Sequence, residues 1–173
     1  MPFHIVLVNP EIPQNTGNIA RTCAATGSVL HLIKPLGFSL EDRYLKRAGL
    51  DYWHLMEYHV YDNAGLFFLE HPEIRCHFAS TKAPRGYHET AYRNGDYLFF
   101  GCETRGLPEA LLEKEYDRCI RSPMRSEARS LNLSNSVAII LYEALRQNGY
   151  PCLMTEGMLT GRPEEEPQWL DYL

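Results

Sequence analysis

Residues 3–8 limit the fold more than any other stretch of the chain. They form an apolar, β-branched run that stops at Asn9-Pro10 and lacks the alternation of a strand with one wet face. Such a strand is buried on both sides, as in the centre of a parallel sheet covered by helices. The next segments fit that setting. Residues 15–26 have helix-compatible spacing through Ile19 and Cys23, with Gly27 placed to close the helix, and residues 29–33 return as a strand. Ser39 followed by Asp42 predicts a capped helix through Ala48 and Gly49, ahead of a strand over 58–61.

The alternation continues to residue 148. It predicts a short helix at 66–70, strands at 76–80 and 97–100, a helix over 108–114 with proline at its start, and a short strand at 119–120. The longest helix, 133–148, carries Val137, Ile140, Leu141 and Leu145 on one side. Strand and helix alternating at this spacing predict an α/β fold with a mainly parallel sheet. No internal repeat is present.

A length of 173 residues and a hydrophobic content of 45% suit one compact domain. We assign it to residues 1–156, with 157–173 as an acidic C-terminal tail whose end Trp169, Leu170, Tyr172 and Leu173 can anchor. No basic-then-apolar start resembles a signal peptide, and no apolar run approaches the ~20 residues of a membrane span. The expectation is a soluble, cytoplasmic protein. Five scattered cysteines without a Cys-x-x-Cys pair argue against a disulfide framework and a structural zinc site, and are read as reduced and mostly buried. The seven histidines show no metal-binding pairing, so no catalytic metal is expected.

A net charge of −5 looks unsuited to nucleic acid, but its distribution softens that objection. Residues 151–173 carry −4, leaving −1 for residues 1–150. Basic residues gather at Lys34, Arg43, Lys46 and Arg47, and again at Arg118, Arg121, Arg125 and Arg129. Clusters of this kind are commonly solvated faces; they permit RNA without establishing it.

Ligands of open α/β sheets bind beyond the carboxyl ends of the strands, and three segments there are unusual. Residues 9–22 combine two prolines with Asn9, Asn15 and Asn18 at a helix start, and place Arg21 inside that helix. Residues 100–108 set Glu103 and Arg105 between Gly101 and Gly106, where backbone must turn tightly or approach a ligand. The third segment runs from Ser122-Pro123-Met124 to Ser130-Leu131-Asn132 and turns abruptly into a buried helix, where Ser134 and Asn135 are also read as helix-capping residues. No phosphate-loop run, dinucleotide Gly-x-Gly-x-x-Gly or Gly-x-Ser-x-Gly elbow occurs, which disfavours those three enzyme classes.

Together, in this order and spacing, the three segments resemble the motifs of the SPOUT superfamily of RNA methyltransferases, in its ribose 2′-O-methylating branch. The likeness spans roughly residues 3–151. The chain length, its early start and the run 47–52 are similar to the small TrmL type, which acts on the wobble nucleotide of tRNA. The resemblance implies a C-terminal trefoil knot in which residues 122–135 thread through the preceding loop, S-adenosylmethionine bound in the knot, and a homodimer with tRNA across it. By matching positions it implies cofactor contacts at Ser80, Gly101, Ser122 and Ser130, with backbone at Met124 and Leu131.

It further implies Arg21 beside the reacting hydroxyl, and Asn15 and Asn132 positioning substrate or loops. A guanidinium is a poor base, so Arg21 is read as holding RNA phosphate and stabilising developing alkoxide charge. Glu103 is read as a carboxylate that orders the loops. Tyr142 can reach cofactor or RNA, or serve as a core or dimer contact. Two other readings stay open: methylation of another tRNA or ribosomal RNA site, and a knotted dimer that binds without methylating. The full set Asn15, Arg21, Glu103, Ser130 and Asn132 weighs against the second.

Overall fold

Side chains alternate across a strand, so a strand apolar at every position must feed two cores at once. That is what β1 (His4–Val8) does in the computed structural model, which describes residues 1–40 and 55–159. Ile5 and Leu7 join a core with Leu30, Leu32, Leu98 and Phe100, whereas Val6 and Val8 join one with Ile33, Phe78 and Phe99. Full burial of one such side chain contributes roughly 1.5–3 kcal/mol. A slip of one residue would exchange the two faces, so the register is firmly set.

The chain continues through α1 (Pro13–Thr26), β2 (Val29–Ile33), β3 (Tyr58–Tyr61), α2 (Ala64–Glu70), β4 (Cys76–Ala79) and β5 (Arg85–Gly86). It then forms β6 (Tyr97–Phe100), α3 (Glu109–Lys114), β7 (Cys119–Arg121) and α4 (Leu133–Gln147). Among the described residues the strands make one sheet in the order β3-β2-β1-β6-β4-β7-β5. All of its pairings are parallel. α1 and α4 cover the first core with Ile19, Ala20, Cys23, Val137, Ile140, Leu141 and Ala144. Phe67 of α2 and Leu112 of α3 close the second.

The expected α/β architecture and parallel sheet are therefore present. α1 starts two residues earlier than its spacing predicts, because Pro13 is preorganised for the first helical position, and it ends on Gly27 at φ 66°. α2 likewise starts early, capped by Asn63, whose side chain accepts from the Leu66 amide. β5 has no sequence signal; its two residues are a strand only because they pair with Ile120 and Arg121. The helix expected over 42–49, with Arg43, Lys46 and Arg47, and the terminal residues Trp169, Leu170, Tyr172 and Leu173 lie outside the described residues. Packing on the core reaches Leu153, and Met154, Met158 and Leu159 are exposed.

All five cysteines are free: Cys23, Cys76 and Cys119 are buried, Cys102 is half-buried and Cys152 exposed. No helix among the described residues is long and apolar enough to cross a membrane. Nor do the described residues hold a group of three or more His, Cys, Asp or Glu suited to a metal ion.

The second core contains a polar chain. His4 Nδ1 lies 3.0 Å from His31 Nε2, His31 Nδ1 is 3.1 Å from the Tyr61 hydroxyl, and that hydroxyl is 3.0 Å from His71 Nε2. With every imidazole neutral, each link can be satisfied with all protons pointing one way. Burial, reinforced by His4, His59 and His71, pulls His31 down to about 3; burial, with His71 and His59, pulls His4 down to about 4. Both groups bind protons more readily when unfolded, so stability rises with pH between those values and the ordinary histidine value near 6.5. The melting temperature should therefore fall as pH is lowered from 7 to 5, and His31→Phe should flatten that dependence. Thermal unfolding across this range checks it; equal slopes in both proteins would show that His31 is not the group responsible.

Candidate active site

Because β6 lies between β1 and β4, the loops that follow β1 and β6 emerge side by side at the carboxyl edge of the sheet. β7 lies beyond β4, yet α4 packs beside α1. Residues 122–132 must consequently cross the ends of β4 and β6 to reach the start of α1. The three segments singled out in the sequence thus meet at one edge, where a doubly wound sheet places its ligands.

A relay of hydrogen bonds holds them together. The first turn of α1 has no side-chain cap of its own: Ile12 stands at the cap position. Glu103, on the loop after β6, substitutes from a distance. Its Oε2 accepts from the Glu11 amide at 2.8 Å, and its Oε1 from the Ile12 amide at 3.2 Å and Asn15 Nδ2 at 2.9 Å. A carboxylate here also meets the positive end of the helix dipole. Asn15 passes the connection on, its Oδ1 accepting from Asn132 Nδ2 at 2.9 Å. Asn132 caps α4 in turn, its Oδ1 accepting from the Ser134 amide at 2.9 Å and the Ser134 hydroxyl at 2.7 Å. The capping expected of Ser134 and Asn135 is performed by Asn132, with both as donors to it.

Behind the relay is a cavity of about 520 Å³. Ser80, Gly101, Ser122, Met124, Ser130 and Leu131 all line it, as do Asn15, Glu103 and Asn132. Ser80 continues the β4–β7 ladder, its amide donating to the Ile120 carbonyl at 2.9 Å. At Gly101 a Cβ would collide with the backbone of Gly106 and Leu107, and Gly106 itself adopts φ 71° to close the turn. The Ser122 hydroxyl is buried and has no protein partner. An unmet buried hydroxyl costs about 1–3 kcal/mol, so the cavity is shaped for a ligand with hydrogen-bonding edges. Its volume lies in the range of nucleoside-sized ligands. S-adenosylmethionine has such edges in its nucleoside and carboxylate, which the Ser122 hydroxyl could meet.

Arg21 and Tyr142 lie outside that lining. Arg21 is on the exposed side of α1 with Gln14 and Asn18. Tyr142 is 47% exposed on α4, one turn from Ile139 at 39%. Arg129, a member of the second basic cluster, lines the cavity with Arg105 and Lys82; Lys82 is bridged to Glu109 at 3.0 Å. Sequence reasoning missed Glu11, Ile12 and Thr104. Glu11 accepts from the Thr104 hydroxyl at 2.8 Å and amide at 3.1 Å, and nothing local distinguishes it from a solvated loop glutamate.

A family model described as the SpoU rRNA Methylase family matches residues 2–142. The chain belongs to this family. Among relatives of this SpoU-family chain is a Saccharophagus degradans protein named tRNA (cytidine(34)-2'-O)-methyltransferase, 49% identical over 149 residues, covering 86% of this chain and 97% of its own. A Burkholderia cenocepacia protein of the same name is 49% identical over 151 residues, with 86% and 97% covered. A solved structure described as giving structural insights into the 2-OH methylation of C/U34 on tRNA superposes with a TM-score of 0.81 at 46% identity, covering 85% of this chain and 96% of that one. The Streptomyces viridochromogenes SpoU methyltransferase AviRb, in complex with AdoMet, shares the fold at a TM-score of 0.74 and 24% identity, covering 84% and 60%.

Glu103 uses both oxygens as acceptors toward three donors, so Glu103→Gln must aim an N–H at another N–H. The substitution should destabilise the protein by about 1–3 kcal/mol, read as a fall in melting temperature. An unchanged melting temperature would mean that the relay does not depend on the carboxylate.

Proposed function

We propose that this chain transfers a methyl group from S-adenosylmethionine to the ribose 2′-hydroxyl of the wobble nucleotide of tRNA, a cytidine or modified uridine at position 34. The observation that carries the reading is the convergence of Asn15, Glu103, Ser130 and Asn132 on one cavity at the carboxyl edge of the sheet. The names of relatives about half identical over most of both chains support the substrate. We assign the catalytic unit to residues 1–156. Within it, residues 122–135 thread the preceding loop as a trefoil knot, a reading supported by their path across β4 and β6 to α1. The working form is a cytoplasmic homodimer: Ile139 and Tyr142 give the exposed side of α4 an apolar surface that a second copy can cover.

Ser80, Gly101, Ser122 and Ser130, with the backbone of Met124 and Leu131, would hold the methyl donor. When bound, it supplies a methyl carbon activated by an attached sulfonium. The protein's task would be to align the ribose oxygen behind that carbon, in line with the sulfonium that leaves, for a displacement in which the hydroxyl proton passes to water. Alignment supplies much of the rate in such a displacement. Asn15 and Asn132 act on the geometry, since each is fixed by the relay at the helix starts where substrate must approach. Arg21 holds an RNA phosphate and stabilises negative charge developing on the ribose oxygen. Its position on the exposed side of α1 suits a substrate that arrives from solvent. Glu103 orders the two loops. Tyr142, on the face assigned to the second copy, is a dimer contact within reach of RNA.

Transfer of labelled methyl from S-adenosylmethionine to total bacterial RNA, followed by nucleoside mapping, tests the reading. A 2′-O-methyl mark at position 34 of a few tRNAs is expected. A mark elsewhere overturns the substrate, and cofactor binding without any transfer would mean a binding protein. Arg21→Ala should leave cofactor affinity near that of the unmodified protein while lowering turnover by about a hundredfold or more. A comparable loss of cofactor affinity would move Arg21 from the RNA to the cofactor.

A further inference from the structure

Glu11 takes part in both directions of a clasp between the loops after β1 and β6. Its amide donates to Glu103 Oε2 at 2.8 Å, while its own carboxylate accepts from the Thr104 amide at 3.1 Å and the Thr104 hydroxyl at 2.8 Å. Each loop thus presents a carboxylate to the other's backbone. The loop after β2 closes against the same point: the Gly37 amide donates to the Pro10 carbonyl at 2.9 Å, and a Cβ at Gly37 would collide with the Glu11 backbone. Glu11 therefore lies where three loops cross, and its partner Thr104 belongs to the stretch 101–107 that lines the cavity.

We propose that Glu11 is a positioning residue for methyl transfer: through Thr104 it sets the cavity-lining loop against the start of α1, where Asn15 stands. The proposal rests on the methyltransferase reading and deepens it. Glu103 fixes the start of α1 to one residue of the neighbouring loop, which is itself closed by the Gly106 amide donating to the Cys102 carbonyl at 2.9 Å. The two bonds to Thr104 are the second point of attachment, and two points define an orientation where one does not. Hydrogen bonds to a charged acceptor are the stronger kind, which suits an exposed pair that must persist against water.

The chemistry of the pair separates a positioning role from bulk packing. In Glu11→Gln the amide oxygen can take the Thr104 N–H while the amide nitrogen donates to the Thr104 hydroxyl, because a hydroxyl serves as donor or acceptor. Both links survive. In Glu11→Ala both are lost, and in Thr104→Val only the hydroxyl link is lost.

Four proteins, unmodified, Glu11→Ala, Glu11→Gln and Thr104→Val, should be compared for S-adenosylmethionine binding by calorimetry, for kcat and KM toward tRNA, and for melting temperature. Glu11→Ala should lose about tenfold or more in both cofactor affinity and kcat, with KM for tRNA and the melting temperature little changed. Glu11→Gln should recover to within about twofold, and Thr104→Val should fall between, adding nothing further when combined with Glu11→Ala. The proposal is overturned if Glu11→Ala keeps both quantities within about twofold, if Glu11→Gln is as impaired as Glu11→Ala, or if the losses follow a fall in melting temperature. Should the unmodified protein bind cofactor yet methylate no tRNA, the methyltransferase reading fails, and the affinity series alone decides whether the clasp orients the loop.

Discussion

The site depends on a carboxylate that braces the start of a helix it does not belong to. α1 begins at Ile12-Pro13, and neither residue has a side chain able to meet the free amides of a first turn. Glu103, on the adjacent loop, accepts instead from the Glu11 and Ile12 amides that lead into the helix, and by also accepting from Asn15 Nδ2 it ties the helix start to the start of α4 through Asn132. Hydrogen bonds to a charged acceptor are stronger than those between neutral groups, which suits a junction that must hold one geometry at the edge of the sheet. Its three members have one arrangement that satisfies all of them. This makes the edge of the sheet a preorganised surface, whereas most connecting segments are free to vary.

The junction joins distant parts of the chain. Glu103 and Asn15 are 88 residues apart in the chain, and Asn15 and Asn132 are 117 apart. They meet where β1 pairs with β6 and α4 is seated on α1. Contacts of this separation close large loops, whose entropy must be offset by the apolar cores before a polar relay adds anything. The two cores therefore supply most of the stability, and the relay sets the geometry of an edge they have already brought together.

That hierarchy explains what could be read from the sequence. The strands and helices came from local periodicity, and those that could be compared match to within about two residues at each end, within the usual fraying of element boundaries. β5 escaped because two residues have no period; only its pairing with β7 makes it a strand. The cavity residues were legible through resemblance, since Gly101, Ser122 and Ser130 stand in recognisable runs. Glu11 was not, because its role is set by Thr104, 93 residues away, and a loop glutamate with a distant partner looks like one with none. Arg21 was legible as a residue but not as a place: helical spacing puts it on α1, and the packing of that helix on the first core leaves it on the exposed side, outside the cavity lining.

The acidic character of the chain then ceases to conflict with an RNA substrate. A net charge of −5 is a sum over the whole surface, whereas a nucleic acid meets the field at one edge. That edge carries Arg105, Arg129 and Lys82, and its two central carboxylates, Glu11 and Glu103, are turned onto backbone amides and hydroxyls. Their negative charge is spread into the loops. Arg21 adds a further cation on the exposed side of α1. Among the described residues these cations are what the edge offers to phosphate, and the shape of the cavity and specific contacts at the target nucleotide act beside them. Such a combination suits the proposed enzyme, which would act on one nucleotide in a few tRNAs and must release the rest.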